Sequence, residues 1–294
     1  MRTITEMFDL SGRTAVVTGA SYGLGLAFAQ GLAAQGARVV LAARSVDKLK
    51  AECAAIEKAG GTALAVACDV GDAAQVAALV RSAMERFGRV DIMVNNAGVV
   101  PEGGMRPEQI PPQVFEEAVR VNLLGVWHGC REAGRAMLAD GKGGSIINVA
   151  SIAGLMGVAD WPAAYQTTKA AVINMTRNLA CSWADRGVRV NALAPGWFPS
   201  EMTGAALEMP AIRNWIDEMA PMGRPGRVEE LVPMLLYLAS DASSFVTGAV
   251  MVVDGGVSAK GAAPMPEEYF EAFAAAGLGE VTRRIGLPVA KTQR

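Results

Sequence analysis

The chain has 294 residues, of which 51% are hydrophobic and 19% charged. That apolar fraction can fill a sizeable core and excludes an intrinsically disordered chain. A formal charge of −2 and a sequence pI near 5.6 provide no broad basic field, which argues against nucleic acid or an anionic membrane surface as the partner and favours a small molecule.

The opening residues, MRTITEMFDLSGRT, lack the apolar centre of a signal peptide, and no stretch reaches the roughly 18 uninterrupted apolar residues of a membrane span. A soluble protein is expected. Cys53, Cys68, Cys130 and Cys181 are scattered, with no Cys-x-x-Cys pair, and His128 is the only histidine. No metal site is therefore expected, and a reducing cytoplasm is the simplest compartment.

Apolar runs then alternate with segments of helical period. Residues 14–20 (TAVVTGA), 38–44 (RVVLAAR), 63–70 (ALAVACDV), 91–98 (DIMVNNAG), 144–151 (GSIINVAS), 189–196 (RVNALAPG) and 249–256 (AVMVVDGG) read as short strands. Such runs suit strands covered on both faces of a parallel sheet, and the segments between them are long enough for crossover helices. The predicted fold is α/β, a doubly wound parallel sheet in a single domain over residues 8–257. Residues 258–294 read as a C-terminal extension in which Pro266 to Ile285 form an amphipathic helix. Its Tyr269, Phe270, Phe273, Leu278 and Val281 are expected to cover the substrate crevice or a neighbouring subunit.

The first strand runs directly into Thr18-Gly19-Ala20-Ser21-Tyr22-Gly23-Leu24-Gly25 and then a helix-like segment. Glycines let the backbone turn tightly and approach a pyrophosphate, while free amides at the helix start supply donors. The second strand ends Leu41-Ala42-Ala43-Arg44-Ser45. An acid there would bind the ribose 2′-hydroxyl of NAD and repel the extra phosphate of NADP. Ala43 carries no charge and Arg44 offers a cation, so NADP(H) is expected to be preferred, with NAD(H) use left open.

Further along come Asp69-Val70, Asn95-Asn96-Ala97-Gly98, Asn122, Ser151 at the end of SIINVAS, and Pro195-Gly196. Tyr165 and Lys169 are four apart in a helix-like segment, so their side chains share a face. A neighbouring ammonium favours the ionised phenol, bringing it toward the range where it trades a proton with a substrate oxygen. Ser151 lies where strand carboxyl ends line the ligand crevice of an open α/β sheet. With one histidine, His128, in a helix-like flank, no hydrolytic triad is available. Arg131, Arg135 and Lys142 read as solvated charges.

This glycine loop, followed in order by the motifs above across residues 8–257, resembles that of the short-chain dehydrogenase/reductase family. The resemblance implies a Rossmann-type fold and NAD(P)-dependent hydride transfer between a carbonyl and a secondary alcohol. It implies cofactor contacts from Gly19, Ser21, Tyr22, Gly23, Leu24, Gly25, Arg44 and Ser45, with Asp69 and Val70 flanking the adenine. Asn96, Ala97 and Gly98 would support the cofactor. Pro195 and Gly196 would lead past the nicotinamide, and Ser200 and Thr203 would approach its carboxamide end. It assigns Tyr165 as general acid/base, Ser151 as polariser of the substrate oxygen, Lys169 as modulator of Tyr165 and ribose ligand, and Asn122 as support for a relay water.

The sequence departs from the family pattern at Tyr22, where many NADP-preferring members carry a basic residue. Residues 197–225 fall in the variable substrate-covering region, and their Trp, Met and Phe content suggests an apolar pocket. The resemblance further implies a homotetramer, or a homodimer, built on segments 104–138 and 160–186 and on the AVMVVDGG region. Two other functions stay open from sequence: reduction of 3-oxoacyl thioesters, and cofactor binding by a regulatory protein without turnover.

Overall fold

The computed structural model describes residues 2–200 and 202–261. Strand β1 (Thr14–Thr18) is buried at every position and lies inside a seven-stranded parallel sheet of order β3-β2-β1-β4-β5-β6-β7. The others are β2 (Arg38–Ala43), β3 (Thr62–Ala67), β4 (Ile92–Asn95), β5 (Gly144–Val149), β6 (Val188–Pro195) and β7 (Val250–Val253). Five of the seven fall within the apolar runs of the sequence, and β3 and β6 each begin one residue before theirs. Register is parallel on both sides of β1, with Ala15 opposite Val39 on one flank and Ile92 on the other.

Helices cover both faces, as the uninterrupted apolar runs require. On one side α2 (Gly23–Ala34), α3 (Val46–Lys58) and α10 (Val228–Ala239) bury Phe28, Leu32, Leu49 and Leu235 against Val17, Leu41 and Ile147. On the other, α4 (Ala73–Phe87), α6 (Gly125–Asp140) and α7 (Ala163–Trp183) bury Leu79, Cys130 and Val172 against Val16, Met93 and Ile146. Each large side chain so buried contributes roughly 1.5–3 kcal/mol. Local signals agree with the packing: the Asp72 carboxylate accepts from Ala74 N (2.8 Å) and Gln75 N (3.2 Å) at the start of α4, and Gly88 at φ 84° ends it.

A short α1 (Ile4–Phe8) precedes β1, while α5 (Pro112–Ala118) continues through a π-helical turn (Val119–Leu124) into α6. Helices α8 (Gly204–Glu208) and α9 (Pro210–Met219) lie between β6 and α10 in the chain. Residues 1–258 form one compact unit and a second begins at Ala259. All but the first three residues of that second unit fall outside the described residues, and the expected helix from Pro266 to Ile285 falls there too. No helix among the described residues is long and apolar enough to cross a membrane.

Candidate active site

The strand order reverses beside β1, whose successors β2 and β3 lie to one side and β4 to the other, so the carboxyl ends of β1 and β4 open the crevice where such sheets bind ligands. Those two ends are stitched together. Thr18 Oγ1 accepts from Asn96 N (3.0 Å) and Ala97 N (3.2 Å), and Asn96 Nδ2 donates to Thr18 O (2.9 Å) and Gly19 O (3.3 Å). Gly19 turns at φ 66°, and a Cβ there would meet Ala97 and the Asn96 amide; one on Gly25 would strike Gly19 O. Tyr22 caps α2 with no side-chain hydrogen bond to the helix start, leaving the first amides, beginning with Gly23 and Leu24, facing the loop. A cradle closed to any β-carbon at the head of an uncapped helix fits a dinucleotide pyrophosphate.

The four expected catalytic residues come from three elements around this crevice. Ser151 follows β5, and its Oγ accepts from Ala153 N (3.1 Å) at the start of a 3-10 turn. Tyr165 and Lys169 project from the first turns of α7. The Lys169 ammonium sits 5.5 Å from the Tyr165 ring centroid, donates to Val149 O (2.8 Å) and is 3% exposed. Burial lowers its pKa to about 8. Burial likewise raises that of the Tyr165 phenol, a hydrogen bond with Ser151 opposes this, and the negative charge of Glu102 adds to it.

Asn122, fully buried, occupies the π-helical turn. Its amide brackets the chain after β4, accepting from Val99 N and donating to Val99 O, both at 2.8 Å, with a longer contact to Thr168 Oγ1 (3.3 Å). Gly98 keeps open the space between Asn122 and Lys169: a Cβ there would lie 3.3 Å from Asn122 Oδ1 and 3.6 Å from Lys169 Nζ.

Other expected contacts are distributed around the same edge. Asp69 accepts from Gly71 N (2.9 Å) and from Arg120 Nη1 (3.0 Å), and Val70 O accepts from His128 Nδ1 (3.0 Å). Arg44 and Ser45 are exposed beyond β2. Pro195 ends β6, where Gly196 passes so close to Asp254 that a Cβ would clash. Ser200 and Thr203 hydrogen-bond each other (3.0 Å), and Thr203 Oγ1 donates to Phe198 O (2.6 Å), closing the loop after Gly196; Ser200 also approaches Gly23. Away from the crevice, Arg131 and Arg135 are not simply solvated: both pair with Glu132, which is 7% exposed.

A family model described as enoyl-(acyl carrier protein) reductase matches residues 19–258. A galactitol 2-dehydrogenase (L-tagatose-forming) of Cereibacter sphaeroides is 40% identical over 252 residues, 85% of this chain and 96% of that protein. A 3beta-hydroxysteroid dehydrogenase of Eggerthella lenta is 41% identical over 253 residues, 85% of this chain and 95% of the relative. Among solved structures, a gluconate 5-dehydrogenase from Burkholderia cenocepacia in complex with NADP and tartrate superposes with a TM-score of 0.84 at 35% identity, covering 88% of this chain and all of that one. The chain belongs to the short-chain dehydrogenase/reductase family. It is an NAD(P)-dependent oxidoreductase that interconverts alcohol and carbonyl groups.

In this dehydrogenase/reductase the structure adds Glu102, Trp161, Asn148 and Thr176 to the residues singled out from sequence, and joins them to Asn95 and to two tryptophans of the 197–225 stretch. Glu102, in the loop after β4, is 1% exposed, and its Oε1 accepts from Tyr165 N at 2.7 Å, capping the start of α7 from 63 residues away. Trp161, Trp197 and Trp215 meet nearly at right angles, with ring centroids 5.9–6.1 Å apart. They come from the approach to α7, the loop after Gly196, and α9, and Trp161 packs beside Ile152. Asn95, Asn148 and Thr176 form a buried chain, Asn148 accepting from Asn95 Nδ2 and donating to Thr176 Oγ1, each at 2.9 Å, which ties β4 and β5 to α7. Asparagines inside otherwise apolar strands were its visible signal.

Proposed function

We propose that the enzyme is an NADP(H)-preferring dehydrogenase/reductase of small secondary alcohols and ketones, with polyols, sugars and cyclic alcohols as its substrate class. The observation that carries this reading is the meeting of Ser151, Tyr165 and Lys169 beside a glycine cradle that fits the cofactor. Bound NADP(H) supplies or accepts the hydride. The Ser151 hydroxyl donates to the substrate oxygen, and Tyr165 gives that oxygen its proton in reduction or takes it in oxidation. Lys169, when protonated, would steady the phenolate and help hold the ribose of the bound cofactor. Asn122 holds the chain after β4 and the widened turn that supports a relay water.

Ala43 and Arg44 support the NADP(H) preference, and the names of relatives acting on galactitol, gluconate and a steroid support a neutral or hydroxylated substrate. The tryptophan cluster supplies an apolar wall of the kind that stacks against C–H faces. A 3-oxoacyl thioester is the second reading, and the description of the matching family model bears on it only in naming a carrier of acyl thioesters. Exposed large apolar side chains support a homotetramer: Phe115, Leu124 and Trp127 from α5 through the π-helical turn to α6, and Phe245 and Val252 before and within β7.

The test is an absorbance assay of cofactor turnover over polyols, sugars, cyclic ketones and acyl thioesters. Tyr165→Phe is expected to lower turnover by at least about 10²-fold with cofactor affinity kept. Full activity in that variant, or no turnover of any carbonyl or alcohol by the wild type, refutes the assignment.

A further inference from the structure

We infer that Lys48, held over the ring of Tyr22, is the second cation of the subsite that takes the 2′-phosphate of NADP(H), supplying beside Arg44 the charge that the glycine loop lacks. The inference rests on the NADP(H) preference proposed above and names how the site achieves it. Tyr22 lies in the glycine loop, 45% exposed, where a basic side chain would otherwise face the phosphate. Lys48 is the third residue of α3, and its Nζ lies 5.6 Å from the Tyr22 ring centroid, within the reach of a cation–π contact. The ring thus positions an ammonium from the next helix at the loop.

The surrounding charges favour this assignment. Glu117 is held below the usual carboxylate range chiefly by its hydrogen bonds to Arg120. Arg120 itself is engaged by Asp69 and Glu117 and is not available to a ligand. The acid nearest in sequence to Lys48, Asp47, lies 3.7 Å from Lys50 instead. A phosphate monoester carries close to two negative charges at neutral pH, which one guanidinium leaves under-compensated. Ser45, the N-cap of α3 directly after Arg44, makes no capping bond with its side chain. The ligand chemistry is a ribose 2′-phosphate.

Calorimetric titration of the full-length protein with adenosine 2′,5′-bisphosphate and with adenosine 5′-monophosphate reads the subsite without turnover. The wild type is expected to favour the bisphosphate by about tenfold or more, and Lys48→Gln and Arg44→Gln each to cut that ratio at least about fivefold. Lys48→Arg should keep the ratio within about twofold, and Tyr22→Ala should lower it by releasing the ammonium. Higher salt should compress the wild-type ratio more than that of Lys48→Gln. Circular dichroism melts accompany each variant, so that a lost ratio is read only from folded protein. A ratio unchanged in Lys48→Gln but collapsed in Arg44→Gln overturns the role of Lys48 while leaving the cofactor preference standing. A wild-type ratio near one overturns both.

Discussion

Replacing Lys169 by methionine should stabilise the cofactor-free protein while disabling it. The ammonium is 3% exposed, and burial moves its pKa from the ordinary 10.5 to about 8, which corresponds to roughly 3 kcal/mol against the charged form. Below about pH 8 the folded chain bears that full cost. Between about 8 and 10.5 the unfolded chain binds the proton and the folded chain does not, so wild-type stability rises with pH through this window. Methionine fills a similar volume without charge but leaves Val149 O without the donor it has at 2.8 Å, a loss of about 1–3 kcal/mol. The variant should therefore be more stable than wild type by about 1 kcal/mol at pH 7, and the difference should fall by about 2 kcal/mol by about pH 9.5. Urea unfolding of both proteins without cofactor, at matched chain concentration, measures this directly. Turnover should fall by at least about 10²-fold in the same variant. A difference between the two proteins that does not change with pH would refute the argument that the buried ammonium is the source.

Glu102→Gln keeps an acceptor for Tyr165 N but removes a charge that opposes ionisation of the phenol, so the alkaline rise of the oxidation rate should move to lower pH; Glu102→Ala should also cost about 1–2 kcal/mol in denaturant unfolding by leaving the start of α7 uncapped. Ala43→Asp should reverse cofactor choice toward NADH by placing a carboxylate where the 2′-phosphate would lie, measured as the ratio of kcat/KM values. Light scattering should give about four times the 30.6 kDa chain mass, and a monomer at micromolar concentration would remove the assembly from the proposal. Deleting residues 260–294 should alter the substrate KM or the oligomer size, and an unchanged enzyme would make that segment dispensable.

The sheet was legible because its strands are covered on both faces: runs such as SIINVAS and RVNALAPG are mainly apolar rather than alternating, and each breaks at the residue where the crevice begins. Ser151, Tyr165 and Lys169 could be found because strand ends and a four-residue helical spacing are local patterns. Glu102 could not, since its partner is the backbone of Tyr165, brought to it only by the fold, and a glutamate in a loop carries no period. The π-helical turn around Asn122 escaped for a related reason: one extra residue in a helix leaves the apolar spacing of a short segment nearly unchanged. Lys48 lay on the exposed side of α3, where a lysine is ordinary, until the neighbouring ring gave it a direction.

Because the strand order reverses beside β1, the residues that would distinguish one dinucleotide from another follow β1 and β2, whereas those that would handle the substrate follow β4, β5 and β6. Among the described residues, the bonds of Asn96 and Ala97 to Thr18 and Gly19 and the approach of Gly23 to Ser200 join the two groups at the crevice. Substitutions in one group should then combine almost additively with substitutions in the other. A lineage built on this sheet is free to change its redox currency and its substrate in separate steps, neither of which has to wait for the other.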